Sequence, residues 1–338
     1  MKRRVHFLFY MFAAMSIIFM DQRVAGAFTG HPIKVDGATN DWTGITPAEP
    51  NTWTISNGEY IWKDASGDDT GNGKYTYPLN KALKGGCDIR DVRLTYDDKN
   101  LYLMIKCDRP GEFWTPLRIV GIHKEGAAGG MTVLAQGDVN EPNFDKGVCA
   151  NLKVSPELAC QYVIAISSSA YKGRIWDEKG GLVARKEGDK KDTPGFKVEG
   201  TNWNSVEVGI PLELIGGSPA GQVWDVIVAV GQQDFDVARK IDVDASEWNG
   251  GGGAPNNSNP YVYDLAGADK ETQEKEIGSY KPNAPFGLPD GFAVIEKSFL
   301  KIDFRYEGPG KLSRRGEDGE GAGFLPGAGV FFPALLYR

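Results

Sequence analysis

Beyond residue 32 the apolar stretches of the chain are short, and Gly, Pro, Asn or Asp interrupts them every few residues. No window keeps the 3.6-residue apolar period for the three or four turns that a packed helix needs. With 44 glycines and 19 prolines in 338 residues, a helical bundle is excluded, because these two residues are the least favourable in helix interiors. The segment 91–107 shows what the pattern favours instead. DVRLTY (91–96) and LYLMIKC (101–107) are strand runs separated by Asp97-Asp98-Lys99-Asn100, a run of turn formers. In the second run Leu101, Leu103, Ile105 and Cys107 fall on one face, and Tyr102, Met104 and Lys106 on the other. Further strands are predicted at 117–123, 131–135, 161–167, 173–176, 205–210 and 224–231, with one or two more within 292–304. Residues 211–215 (PLELI), closed by Gly216-Gly217, read as a single helical turn. The fold class that follows is all-β: a single antiparallel β-sandwich with short helical turns and a flexible C-terminal tail.

Residues 1–27 read as a secretory signal. Lys2-Arg3-Arg4 is the charged start, 7–20 the apolar centre, and Ala25-Gly26-Ala27 the small-residue cleavage site. The apolar run is too short to span a bilayer. The protein is therefore expected to be secreted or on the cell surface, or periplasmic in a host with an outer membrane. The formal charge of −7 moves to about −10 once the four bases and one acid of the signal are removed. An acidic chain of this kind has no footprint for a nucleic-acid backbone, so nucleic acid is excluded as a partner. Residues 28–306 form one expected domain. Beyond it, 307–338 is a Gly-rich linker ending in the apolar tail FLPGAGVFFPALLY (324–337). That tail either docks on its own domain or is donated as a strand to a neighbouring copy, which would make it a route to self-association.

Export places Cys87, Cys107, Cys149 and Cys160 in an oxidising compartment, where disulfides are expected. Four cysteines allow three pairings; the sequential one, Cys87–Cys107 with Cys149–Cys160, closes the shortest loops. There is no Cys-x-x-Cys to suggest a metal or redox site.

Two constellations carry chemistry. Asp64, Asp68, Asp69 and Asn72 crowd a loop with glycines at 67, 71 and 73. Hard oxygen ligands on a Gly-bent loop suit Ca²⁺, and the alternative is an Asx-rich turn whose side chains bond their own backbone. A second acidic group, Asp242, Asp244 and Glu247, reads as solvated loop charge. Trp62, Tyr75 and Tyr77 bracket the first acidic loop, and Trp114 follows the hairpin. Exposed, these four rings would be carbohydrate-binding platforms for the C–H faces of sugars; buried, they are core. No Gly-x-Ser-x-Gly or His-Glu-x-x-His marks a catalytic site. The protein is not expected to be an enzyme.

Three segments carry a family resemblance. They are the opening IKVDG (33–37) with Asp41-Trp42, the run DASGDDTGNGKYTYP (64–78) with the hairpin after it, and WNSVEVGIPLELI (203–215). Together they resemble the C-terminal module of glucodextranase, found also in archaeal amylopullulanases and surface-layer-associated proteins. More distantly they resemble family 9 carbohydrate-binding modules and DOMON domains. The resemblance implies a non-catalytic sandwich whose partner is a glycan or cell-envelope polymer. DOMON-like sandwiches in some oxidoreductases hold a b-type haem through Met with His or Lys. That makes Met104, opposite a Lys or His123, the site of an alternative haem-binding, electron-transfer reading; otherwise Met104 is a gap-filling core residue. A structural surface-layer or filament component is a second alternative.

Overall fold

The computed structural model describes residues 28–305, apart from 110, 113–114, 139, 202–203, 255–258 and 280–291. The export signal (1–27) and the linker and tail (307–338) lie outside the described residues, as does Trp114.

Two antiparallel sheets form the sandwich. The first has six strands in the order β1 (Thr52–Ser56), β2 (Glu59–Lys63), β3 (Ile89–Tyr96), β4 (Asn100–Cys107), β11 (Ser205–Pro211), β10 (Lys197–Thr201). The second runs β13 (Val237–Ala238), β12 (Val223–Asp234), β5 (Pro116–Lys124), β7 (Tyr162–Ser167), β8 (Lys172–Asp177), β9 (Leu182–Lys186). The twelve residues of β12 organise this sheet. One edge pairs with β5 from Trp224 to Gln232. The other is tiled end to end by three short strands: β18 (Leu300–Asp303), β16 (Asp264–Leu265) and β13. Two small parallel pairs complete the fold: β14 (Ile241–Asp242) with β15 (Gly250–Gly251), and β6 (Leu152–Val154) with β17 (Ala293–Ile295).

The alternation read in the hairpin is the alternation of the sheet. Leu101, Leu103, Ile105 and Cys107 face the main core, whereas Tyr102 and Met104 join Ile33, Val35 and Trp42 in a separate cluster. The segment before β1 thus covers the outward face of the six-stranded sheet. Glu207 fixes it there, accepting from Trp42 Nε1 at 2.8 Å and from the Gly37 N–H at 2.9 Å. The second sheet is covered on its far side as well. A Cβ on Gly121 would stand 2.7 Å from Cys160 Sγ, so only glycine lets β5 lie so close to the segment above it.

The expected strand at 131–135 is reduced to isolated bridges, Met131 to Cys160 and Val133 to Lys153. The helical turn is present as Leu212–Ile215, closed by Gly216 at φ 74°. One helix exceeds a single turn among the described residues: α1 (Lys270–Gly278), started by Asp269, whose side chain accepts the Thr272 N–H. No helix among the described residues is long and apolar enough to cross a membrane.

The expected disulfides are absent. All four cysteines are free and buried. Cys107 sits opposite Ile89 in the β3–β4 pairing, which leaves Cys87 two positions beyond it. The Cys160 thiol donates to the Leu158 carbonyl at 3.4 Å and the Cys149 thiol to the Asp138 carbonyl at 3.6 Å, so each is engaged with a separate carbonyl. Burial pushes the thiols of Cys107 and Cys149 up to about 11 and that of Cys160 to about 12.

Candidate metal centre and its aromatic surround

The chain leaves β2 at Lys63 and enters the acidic loop directly. Asp64 and Asp68 turn inward with under one-twentieth of their surface exposed. Asp264 meets them from β16, held against β12 in the other sheet. One carboxylate oxygen from each of Asp64, Asp68 and Asp264 lies within 4.8 Å of the other two. Asp88, also buried, stands beside them just before β3.

Hydrogen bonds from neighbouring groups fix these side chains. Trp62 Nε1 donates to Asp64 Oδ1 at 2.9 Å. Asp264 accepts from the Ile89 N–H at 2.6 Å and from the Leu265 N–H at 2.8 Å. Gln273 of α1 bridges the two segments: its Nε2 donates to the Asp68 carbonyl at 2.5 Å, and its Oε1 accepts the Leu265 N–H at 2.6 Å. Arg90 pairs with Asp88 Oδ2 at 3.2 Å, outside the trio. After these bonds, Asp64 Oδ2, Asp68 Oδ1 and Asp88 Oδ1 remain buried without a partner among the described residues.

Clustered buried carboxylates resist ionisation. Burial, and then the charge of Asp68, holds the Asp64 carboxyl well above its ordinary 3.8. Burial, and then Asp64, does the same for Asp264. The carboxyl of Asp68 is raised and that of Asp88 is pushed up to about 7, each mainly by burial. A divalent cation among the three oxygens would remove this repulsion. An all-carboxylate oxygen set suits Ca²⁺, which takes six to eight oxygens at about 2.3–2.6 Å, better than Zn²⁺, which favours nitrogen and sulfur.

The structure divides the four ligands expected from sequence. It brings Asp64 and Asp68 together and turns Asp69 and Asn72 elsewhere. Asp69 accepts the Tyr77 hydroxyl at 2.5 Å. Asn72 donates to the Gly252 carbonyl at 3.2 Å and accepts the Lys74 N–H at 3.0 Å, an Asx turn. The third member, Asp264, is some two hundred residues away, and no local spacing could give it. A signal did exist: Asp264 is the one charged residue in the apolar run YVYDLA (261–266), and a carboxylate in such a run needs a partner.

Two of the three described rings near the loop are interior. Trp62 and Tyr75 are buried; the Tyr75 hydroxyl donates to the Pro260 carbonyl at 2.8 Å. Tyr77 stacks flat on Tyr263, centroids 4.5 Å apart and planes 5° apart. Its hydroxyl bonds Asp69 and accepts the Cys87 N–H at 3.1 Å. Trp62 and Tyr75 are thus closed inside the fold, and Tyr77 is half-buried with one face covered by Tyr263. The exposed indole among the described residues is Trp248, at 57 %.

The two residues singled out for haem stand apart. Met104 is packed under Trp42 on the outward face of the six-stranded sheet. His123 belongs to β5 in the other sheet, its Nδ1 2.8 Å from the Ala159 carbonyl.

Residues 60–286 match the family model described as the C-terminal binding-module, SLH-like, of glucodextranase. A search of curated proteins finds no match. The matched span runs from β2 through the acidic loop and β16 to the region after α1, and so takes in every acid of the buried cluster. The family is one of binding modules rather than catalytic domains, and the chain belongs to it: it is a glucodextranase C-terminal-type binding module.

Proposed function

We propose that the protein is an exported, non-catalytic module that holds a glycan or cell-envelope polymer at the cell surface, with one Ca²⁺ bound by Asp64, Asp68 and Asp264. The observation that carries the binding reading is the family match over 60–286. The calcium reading rests on the proximity of the three buried carboxylates and on the orphaned oxygens of Asp64, Asp68 and neighbouring Asp88, since uncompensated buried charge is costly. The ion's part is architectural: the trio ties the loop after β2 to the edge strand β16, so a bound ion joins the two sheets. Asp88, beside it and paired with Arg90, supplies further negative charge.

Two measurements on the full mature chain test this. Metal analysis of natively purified protein is expected to give about one calcium per chain. Affinity electrophoresis through gels containing dextran, pullulan or solubilised cell-wall polysaccharide is expected to retard the protein with at least one of them. Unretarded migration through all of them would reject the glycan reading, and metal-free protein indifferent to added Ca²⁺ would reject the ion.

A further inference from the structure

We propose that the glycan is held on an exposed aromatic platform formed by Trp248 and Phe235; the inference rests on the glycan-binding reading and gives it a location. Phe235 is 94 % exposed and Trp248 57 %, and one guanidinium holds the loops that carry them. Arg239 donates from Nη1 to the Trp248 carbonyl at 3.0 Å, from Nη2 to Asp234 Oδ1 at 3.3 Å and from Nε to the Gln233 carbonyl at 3.0 Å. The backbone of Trp248 and the residue preceding Phe235 are thus a single side chain apart.

Both rings are presented by rigid turns. Phe235 and Asp236 form the two-residue turn between β12 and β13, both left-handed at φ 48° and 71°. This hairpin geometry ordinarily selects Asn-Gly, and a bulky ring in it is unusual. Asp236 anchors the turn by accepting from Ser167 Oγ and Lys172 Nζ, each at 2.6 Å. Trp248 rides a turn closed by Ser246 and Asn249, whose backbones bond at 2.9 Å. Beside it Leu79, 61 % exposed, donates its N–H to the Ser246 carbonyl at 2.8 Å and adds apolar surface. With the backbone of each turn already held by these bonds, binding has little main chain left to order.

The rim selects the ligand. Asp244 and Glu247 are exposed around Trp248, and Asp242 lies at the foot of the turn, accepting Asn249 Nδ2 at 2.7 Å. Carboxylates accept paired hydroxyls while the rings take the C–H face of a pyranose. The same acidic rim repels anionic lipid headgroups. A neutral polysaccharide is the ligand these groups fit.

The test follows the indole N–H resonance of Trp248, assigned by its loss in Trp248→Ala, while full-length protein is titrated with dextran, pullulan or solubilised cell-wall polysaccharide. The expected result is a saturable shift of that resonance, at least about a tenfold loss of affinity in Trp248→Ala, a smaller loss in Phe235→Ala and none in Leu182→Ala. Circular dichroism of each variant verifies folding. Glycan binding that leaves the resonance unmoved and both ring variants unimpaired would overturn the platform and leave the glycan reading standing. Failure of the unmodified protein to bind any of the glycans would overturn both. A resonance shifted by phosphatidylglycerol vesicles alone would overturn the platform's assignment to sugar.

Discussion

The carboxylate of Asp264 accepts the backbone N–H of Ile89 at 2.6 Å, across 175 positions of sequence. It thereby links the edge of one sheet to the first residue of a strand in the other, and it does so at the acidic trio. A residue that bridges the sheets and, in the proposed calcium site, would also ligate the ion is expected to be the most sensitive position there.

Asp264→Asn and Asp68→Asn are expected to abolish calcium binding by isothermal titration, whereas Asp69→Asn, which removes a charge but keeps an amide oxygen to accept the Tyr77 hydroxyl, retains it. At calcium 100-fold above its dissociation constant the ion adds about 2.7 kcal/mol to the stability of the unmodified protein. Thermal unfolding with and without chelator therefore separates by several degrees, and the separation vanishes in Asp264→Asn. A separation that persists there would place the ion elsewhere.

The pH dependence of the chelated protein has a definite sign. Burial raises the carboxyls of Glu59 and Glu207 above 4.5 and that of Asp88 to about 7. A carboxyl raised on folding binds its proton more tightly in the folded state. Its contribution is complete below the unfolded value and is lost as pH rises through the folded one. The unfolding midpoint is expected to fall between about pH 4 and pH 7, and Asp88→Asn flattens the neutral end of that slope. A midpoint rising across this interval would contradict the assignment.

The four thiols answer to a chemical count. Native protein under non-reducing conditions is expected to leave a thiol reagent unreacted, because all four cysteines are buried and their thiols are pushed up by burial. In denaturant the same sample releases four equivalents. Two or fewer equivalents would mean that a disulfide forms.

Gly121→Ala tests the close approach over the second sheet. The added methyl meets Cys160 Sγ at 2.7 Å, with Leu134 and Ile227 next to it. Overpacking of this kind costs about 1–3 kcal/mol, and denaturant titration is expected to show a loss in that range.

Much of the local structure, though not all of it, was legible in the sequence. The 91–107 hairpin could be read to within two residues at its strand ends, with the strands running 89–96 and 100–107, because alternation and a turn of Asp, Lys and Asn specify both the strands and the faces. The β1–β2 hairpin went unread although Asn57-Gly58 marks it; their φ of 51° and 73° are those that Asn-Gly is selected for. Its strands, TWTIS and EYIWK, are polar enough to hide the alternation. The short helix α1 has only charge and an Asp cap to announce it. At the site, Asp64 and Asp68 were legible as a loop pair. Asp69 and Asn72 looked equivalent to them because spacing along a loop does not say which side chains turn inward. Asp264 depends on a pairing of distant segments, and Trp62, Tyr75 and Tyr77 on which face the sheets would close over. Both are facts of the tertiary fold.

The closure of the core has a consequence for how the module is attached. The rings of Phe28 and Phe304 meet at 5.4 Å, edge to face, and both pack with Tyr96. The first and nearly last described residues therefore share one pole of the sandwich. Any tether joined before residue 28 and any joined after residue 305 leave from that common pole, as two cords from one ring. A short peptide could splice the pair and fresh ends be opened at an exposed turn, giving a circular permutant that keeps the same core.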